Sequence, residues 1–455
     1  MNKHMSLRIK HWGRIRVHAR ASVVHVPVEG SCSLFGQAGL TVISVGVSQS
    51  PGIPVTELAI VGGKPVRKKP FPSWPVFGRE EERALSRVLK SGKWGIGGTK
   101  NAEFSAAFAR WLDAKRVITC TNGTAAIEIA LKAVGVKPAD EVVVPPYTFV
   151  ATASAVLSIG AVPVFADIDP DTYMLDPVKL EQAITPKTKA VIPVHIGGGP
   201  ADMDSITKIA QEHDIRIVED AAQAHGAEWR KRKVGAVGDM GTFSFQSSKN
   251  ITAGEGGAMA TNDEELGEDA WSIMNCGRRK DRQWYEHFIL GGNYRMTEFQ
   301  AAVLLAQLPR AEAHMRTRER NAAYLTKRLK EVNGVEPLKS YPQTTRHAYH
   351  LFIMKYDASS FGGVPKAKFV EAMNKEGIPL SPGYTFSLHE LPAIRNYKLP
   401  YATLDYGGVS LPVTERACKD EGCWLHQSVL LGTKRDMDDI ADAMLKINQH
   451  FGELL

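Results

Sequence analysis

Three short segments of this 455-residue chain combine residue types that could do chemistry together. The first is Gly241-Thr-Phe-Ser-Phe-Gln-Ser-Ser-Lys249-Asn-Ile-Thr-Ala-Gly-Glu-Gly-Gly257, where one lysine follows an apolar run and sits among small hydroxyl residues and glycines. A lysine in such a pocket loses its proton more readily than in water and can attack a carbonyl to form a Schiff base. The glycines let backbone approach a bound group closely; a solvent-facing loop lysine is the plain alternative. The second is Thr121-Asn122-Gly123-Thr124, a turn leading into a helix start. Its free N–H groups and the positive end of the helix dipole suit a phosphate, and an ordinary N-cap would look the same. The third is Ile217-Val218-Glu219-Asp220-Ala221-Ala222-Gln223, two acids closing an apolar run. They leave a carboxylate at the rim of a crevice, unless they serve as a cap or a salt bridge.

Placing these segments together requires a sheet. The runs Arg116–Thr119, Glu141–Val144, Val162–Phe165, Ala190–Val194 and Ile215–Val218 read as strands. Between them Thr124–Val134, Thr148–Ser158, Pro177–Ile184 and Asp202–His213 have helical periodicity. That alternation predicts an α/β protein with a mostly parallel central sheet and helices on both faces. Ligands of such sheets gather at the carboxyl ends of the strands. Further helices are predicted at Arg79–Lys90, Ala102–Asp113, Asp263–Asn275 and Thr297–Leu308, and further strands at Gly241–Phe245 and Gly257–Ala260. The long charged helix predicted for Arg310–Val332 suggests a junction. It would separate a large domain over residues 56–310 from a smaller C-terminal α/β domain over 311–455, with a strand at His350–Tyr356 and helices at Pro365–Lys375 and Asp436–Gln449.

An amine, an anion cradle and a carboxylate are the parts that pyridoxal 5'-phosphate needs. From about Leu58 to its end the chain resembles the DegT/StrS-type sugar aminotransferases, which are fold type I pyridoxal-phosphate enzymes. The resemblance is carried by Gly62-Gly-Lys-Pro65, Asn122-Gly-Thr-Ala-Ala126, Pro146-Tyr-Thr-Phe-Val-Ala-Thr152, Val164-Phe-Ala-Asp-Ile-Asp169 and Pro193-Val-His195. It continues through Glu219-Asp-Ala-Ala-Gln223, Phe243-Ser-Phe245, Lys249-Asn-Ile-Thr-Ala-Gly-Glu-Gly-Gly257 and Gly292-Asn-Tyr-Arg-Met-Thr-Glu298.

This resemblance implies roles. Lys249 would hold the cofactor as a Schiff base and, once freed, act as the catalytic base. Asp220 would pair with the pyridinium nitrogen, Gln223 would lie against the ring or its phenolic oxygen, and Phe149 would stack on the other face. Gly123, Thr124 and Ser244 would hold the phosphate. Asn293 would reach the phosphate of the neighbouring subunit's cofactor, which implies a homodimer with shared active sites. Relatives that dehydrate deoxysugars carry histidine where this chain has Lys249, so the lysine implies transamination, with glutamate or glutamine as donor and a keto-sugar or keto-cyclitol as acceptor. The segments Arg346–His350, Leu411–Ala417 and Trp424–His426 resemble the branch that aminates scyllo-inosose-type ketones toward aminocyclitols. Trp94, Tyr384 and His389 are acceptor-contact candidates, with loop packing as the alternative for each. His195 could face the site or be a satisfied core histidine. Arg278 and Arg279 could serve a donor carboxylate or form a solvated charge pair.

Composition narrows the remaining classes. The net charge of +7 invites a nucleic-acid or membrane reading. However, Lys3, Arg8, Lys10, Arg14, Arg16 and Arg20 stand against Glu29 alone in residues 1–55, and the rest of the chain is nearly balanced. No nucleic-acid or membrane partner is expected, and no apolar run approaches the roughly 18 residues of a membrane span. Residues 1–55 form a basic extension outside the family resemblance, readable as a disordered tail, a transit-type leader or a stretch upstream of the true start. The cysteines, Cys32, Cys120, Cys276, Cys418 and Cys423, are scattered and lack the paired ligands of a metal site. No metal is expected, and a reducing, cytoplasmic setting is. Two other readings compete: a dehydrating or aromatising enzyme on the same cofactor, and a non-enzymatic regulator with the same fold.

Overall fold

The computed structural model describes residues 57–401 and 404–455, together with the backbone of an antiparallel hairpin, Ile15–Ala19 with Ser22–Val26. The rest of the basic extension over 1–55 lies outside the described residues. The chain divides into two units, Met1–Gly52 and Ile53–Leu455.

The central sheet of the second unit has seven strands: β1 (Arg116–Cys120), β2 (Glu141–Val144), β3 (Val162–Phe165), β4 (Thr188–Val191), β5 (Arg216–Asp220), β6 (Met240–Ser244) and β7 (Gly257–Thr261). They lie in the order β3-β2-β4-β5-β6-β7-β1. Neighbours from β3 to β6 are parallel, whereas β7 runs antiparallel to both β6 and β1. The reason lies in the connections. A parallel return needs a long crossover connection: helices supply it between β1 and β5, and residues 221–239 supply it without a helix between β5 and β6. Residues 245–256 instead turn the chain back beside β6, which leaves Lys249 in that turn. All five residues of β6 and of β7 are buried, although alternate residues point to opposite faces. Both faces of the sheet are therefore covered. Strand β4 ends three residues before the predicted Val194, because Pro193 has no N–H to continue the ladder. Pairing resumes only as a single bridge between Val194 and Asp220.

A second, antiparallel sheet is built from β8 (Val335–Pro337), β9 (Leu351–Tyr356), β10 (Leu380–Ser381) and β11 (Gly422–His426), in the order β8-β9-β11-β10. It shares a separate apolar core with the helices Lys366–Lys375 and Lys434–His450. The helix Ala311–Leu329 runs from one core to the other: Ala311 packs in the first, Leu325 and Leu329 in the second. Leu58, Ile60, Val66 and Phe71 also pack with the second core. A buried carboxylate holds this opening segment in place: Glu376 accepts from the N–H groups of Ala59 (2.8 Å) and Val66 (2.9 Å) and pairs with Lys446 at 2.9 Å. The Leu58 N–H bonds to Glu453 Oε2 at 2.8 Å, tying the start of this unit to its last residues. Among the described residues no helix is long and apolar enough to cross a membrane, and no cluster of His, Cys, Asp or Glu is arranged to hold a metal.

Candidate active site

A cavity of about 980 Å³ opens at the carboxyl ends of β1, β5 and β6, with one wall supplied by β9 and β11. Its floor begins at the start of the helix Gly123–Ala133. Asn122 is extended there and caps the helix, its Oδ1 accepting from the Ala125 N–H at 2.9 Å. The N–H groups of Gly123 and Thr124 have no partner among the described residues, which leaves the positive helix end free for an anion. Glycine is required at 123: a Cβ there would stand 2.8 Å from the Cβ of Ser244. Its absence brings Ser244, at the end of β6, against the helix start.

Strand β5 ends in two acids with different fates. Glu219 points away from the cavity and is fully buried. Its Oε1 accepts from the N–H groups of Val237 and Gly238 (2.8 Å each), and its Oε2 from Gly235 N–H (2.7 Å) and His195 Nε2 (3.0 Å). Burial opposes its charge, but the His195 and backbone bonds outweigh that and hold its pKa below the ordinary value. His195 is thereby assigned to the core: its Nδ1 accepts from the Ala201 N–H at 3.0 Å, and neither nitrogen is left for a ligand. Asp220 faces the cavity. Its carboxylate is held by the Thr152 hydroxyl at 2.9 Å and the Ala222 N–H at 3.1 Å.

Lys249 lines the same cavity, in the turn between β6 and β7. Its side-chain amine has no hydrogen bond or ion pair to any described residue, while its backbone N–H donates to the Gln246 carbonyl at 2.9 Å. Burial pushes its pKa below the ordinary lysine range, and the charge of Asp220 pulls the other way. Gln223 accepts from the Gly197 N–H at 2.7 Å and donates to the Tyr384 hydroxyl at 3.3 Å. The Phe149 ring is 59% exposed and lines the cavity. An apolar helix-start residue would ordinarily be buried, so this ring is free to cover a flat ligand.

The structure thus brings Gly123, Thr124, Phe149, Asp220, Gln223, Ser244, Lys249 and Tyr384 to one cavity. Tyr384 is wedged edge-on between Tyr147 and Trp424, with ring centroids at 5.2 and 4.9 Å. Three candidates lie elsewhere in the protomer. Trp94 packs on Phe299 and bonds to the Leu89 carbonyl at 3.2 Å. His389 is buried, 2.7 Å from the Ser387 hydroxyl. Asn293 lies in a separate groove beside Ile96, Trp284 and Arg295. Arg278 stacks on Trp284 at 4.1 Å, also away from the cavity. Sequence reasoning had no role for Thr152, His350 or His426, all polar groups at this site. Only their places in quoted segments hinted at them: Thr152 four residues after Thr148, His350 just before β9 and His426 at the end of β11. His350 and His426 line the cavity with ring centroids 5.5 Å apart; burial and the charge of Lys249 lower the pKa of His350, and burial, Arg318 and Lys249 lower that of His426.

Residues 75–445 match the model of the DegT/DnrJ/EryC1/StrS aminotransferase family. The chain is 40% identical over 422 residues to the L-glutamine:2-deoxy-scyllo-inosose aminotransferase of Streptoalloteichus tenebrarius, covering 87% of this chain and 99% of that protein. It is 38% identical over 417 residues to a second protein of that organism, provisionally named an L-glutamine:3-amino-2,3-dideoxy-scyllo-inosose aminotransferase, covering 88% and 99%. Among solved structures, 3-amino-5-hydroxybenzoic acid synthase superposes with a TM-score of 0.77 at 34% identity, over 83% of this chain and 98% of that one. The fold, the site and these likenesses agree: the chain belongs to the DegT/DnrJ/EryC1/StrS aminotransferase family.

Proposed function

We propose that this aminotransferase uses pyridoxal 5'-phosphate to carry an amino group from glutamine, or glutamate, to a keto-cyclitol or related keto-sugar. The observation that carries the reading is an amine without an ion-pair partner, Lys249, in one cavity with Asp220 and the anion cradle that Gly123 leaves open to Ser244. That donor set fits the cofactor: a nucleophile for its aldehyde, a carboxylate for its ring nitrogen and N–H groups for its phosphate. When bound, the cofactor supplies an electrophilic carbonyl and an electron-withdrawing ring that stabilises a carbanion.

The chain's own residues do the rest. Lys249 would hold the cofactor at its carbonyl and would serve as the base at the carbon that gains or loses nitrogen. Burial, which lowers its pKa, favours the free-amine form that can accept that proton. Thr152 and the Ala222 N–H hold Asp220 where it keeps the ring nitrogen protonated. Gly123, Thr124 and Ser244 bind the phosphate, Gln223 lies beside the ring, and Phe149 covers it. The relatives' names support glutamine as donor and a scyllo-inosose-type ketone as acceptor. Tyr384 is the acceptor contact that the cavity retains.

A homodimer completes this proposal. Asn293 cannot serve its own protomer's cavity from the groove it occupies, and the nearby Trp284, Tyr285, Phe288 and Leu290 are exposed. A second copy covering this face would bring Asn293 to the other cavity, and Trp94, next to the groove residues Gly95 and Ile96, toward it as well. His389 contributes through packing. Residues 311–455, with the opening segment packed on them, form the smaller domain in this reading. Cytoplasmic action is consistent with free thiols at Cys120, Cys276, Cys418 and Cys423.

Purified protein given pyridoxal phosphate should absorb at the wavelength of a lysine-bound cofactor, and Lys249→Ala should lose that band. With a keto-cyclitol and glutamine it should release one 2-oxo acid per amine formed. A chain that stays colourless with excess cofactor would sink the proposal. Mixed dimers of Lys249→Ala and Asn293→Ala should regain activity that neither variant has, since one of their two sites is intact. The likeness to 3-amino-5-hydroxybenzoic acid synthase supports a second reading, aromatisation of an aminated ring; an aromatic product formed without 2-oxo acid would establish it instead.

A further inference from the structure

The carbonyls of Ser247 and Ser248, the two residues before Lys249, are each held from outside their turn. Trp74 Nε1 donates to the Ser247 carbonyl at 3.0 Å, and Gln427 Nε2 reaches the Ser248 carbonyl at 3.5 Å. Trp74 comes from the opening segment, and Gln427 directly follows β11. One buried cation touches both side chains. Arg318, on the helix Ala311–Leu329, is 1% exposed, and its guanidinium lies over the Trp74 ring, 5.5 Å from the centroid. Its Nε donates to Gln427 Oε1 at 3.0 Å, and its Nη2 donates to the same oxygen. Those two bonds fix the amide: with Oε1 turned to the guanidinium, Nε2 is left to face Ser248. His314, one helical turn before Arg318, packs edge-on against Trp74 with centroids 5.8 Å apart. Arg318 has no ion pair with any described acid, and burial pushes its pKa down to about 9. A buried charge without a carboxylate is a poor source of stability, and an apolar residue of similar volume often serves the fold as well. The contacts of Arg318 converge instead on the turn that carries Lys249.

We propose that Arg318 is a positioning residue for Lys249: it orients Trp74 and Gln427 so that their N–H groups clamp the Ser247 and Ser248 carbonyls and fix the turn from which the lysine enters the cavity. Arg318 is not among the residues that line that cavity and acts only through these two side chains. The inference rests on the proposed function only in taking Lys249 as the reactive amine.

The test is hydrogen exchange of the full-length chain without cofactor, read by mass spectrometry on peptides spanning residues 245–252. The amides of Ser248 and Lys249 bond within the turn, to Gln246 Oε1 at 2.8 Å and to the Gln246 carbonyl at 2.9 Å, so their protection reports how firmly the turn is held. In Arg318→Met their exchange should quicken about tenfold, the contribution of one hydrogen bond, while exchange in β2 and β4 stays at the wild-type rate. Trp74→Phe keeps a ring under Arg318, loses only the N–H donor and should loosen the same peptides. On adding pyridoxal phosphate, Arg318→Met should develop the absorbance of the lysine-bound cofactor several-fold more slowly. Unchanged exchange in the turn of Arg318→Met, an equal rise in β2 and β4, or a band that forms at the wild-type rate overturns the proposal. If that variant does not fold by circular dichroism, Trp74→Phe decides: a rise confined to the turn supports the proposal, and any other result overturns it. Should wild type itself form no band, the proposed function fails, and the exchange result is read without it.

Discussion

Glu219→Gln isolates the support beneath the site without touching the cavity. The carboxylate is fully buried and takes four N–H donors, two on each oxygen. Glutamine has the same shape but one carbonyl oxygen, so its NH₂ must face two of those donors whichever way it is turned. His195 cannot relieve the conflict by moving its proton to Nδ1, because that nitrogen already accepts from the Ala201 N–H. Two donors left unpaired in the interior cost about 1–3 kcal/mol each, or about 2–6 kcal/mol together. Thermal unfolding of the cofactor-free chain should show a clear fall in midpoint, with the far-ultraviolet spectrum kept. The pH dependence is the sharper check. The folded pKa of Glu219 is depressed, so its contribution is fully present above the unfolded value of about 4.3 and disappears as pH falls through the folded one. The gap between variant and wild type should hold from pH 8 to pH 5 and narrow only in stronger acid, where wild type also carries a neutral group. A loss under about 1 kcal/mol at pH 7, or a gap that widens on acidification, would refute the four-donor account.

Other perturbations read different parts of the structure. Gly123→Ala places a Cβ 2.8 Å from that of Ser244 and should force the cradle open; at about 1–3 kcal/mol of overpacking, cofactor affinity by fluorescence titration should weaken about tenfold or more. Lys249→Ala should lower turnover by at least about 10²–10⁴-fold, measured as 2-oxo acid release. Lys446→Met leaves the Glu376 carboxylate buried with backbone donors only and should destabilise the chain by about 3–5 kcal/mol in denaturant unfolding. The pH profile of kcat/KM should have no limb at pH 6–7 from His225 or His350. His225 is pushed down to about 3 by burial and by Lys249, and His350 is pushed well below the ordinary histidine value by the same two causes.

The sheet was readable because its strands are short apolar runs bounded by helices with caps. Glu141–Val144 and Val162–Phe165 occur as expected, and Asp202 and Thr297 prove to be N-caps of the helices that they were expected to open. What periodicity could not give was direction: Gly257–Thr261 reads like any buried strand, and the lack of a helix before it does not decide the matter, because β5 and β6 are also joined without one and run parallel. The candidate residues on β1, β5 and β6 converge because strand ends of one sheet converge. The small-sheet side of the cavity was less legible. His350 and His426 are adjacent only through the pairing of β9 with β11, a contact between residues far apart in sequence. The separation of Glu219 from Asp220 was hidden as well, since two adjacent acids on a strand face opposite ways and only the partners of each reveal which side is wet.

The bond between the Leu58 N–H and Glu453 also bears on how this unit can be rearranged. A unit whose opening and closing residues, Leu58 and Glu453, are this close encloses no obligatory opening. A short Gly/Ser linker from residue 455 to residue 57 would span the gap. The polypeptide could then be reopened at an exposed turn such as residues 137–139, ahead of β2. The order of elements along such a permuted chain would change while every strand kept its neighbours. The topology of this site belongs to the sheet and not to the point at which the polypeptide starts.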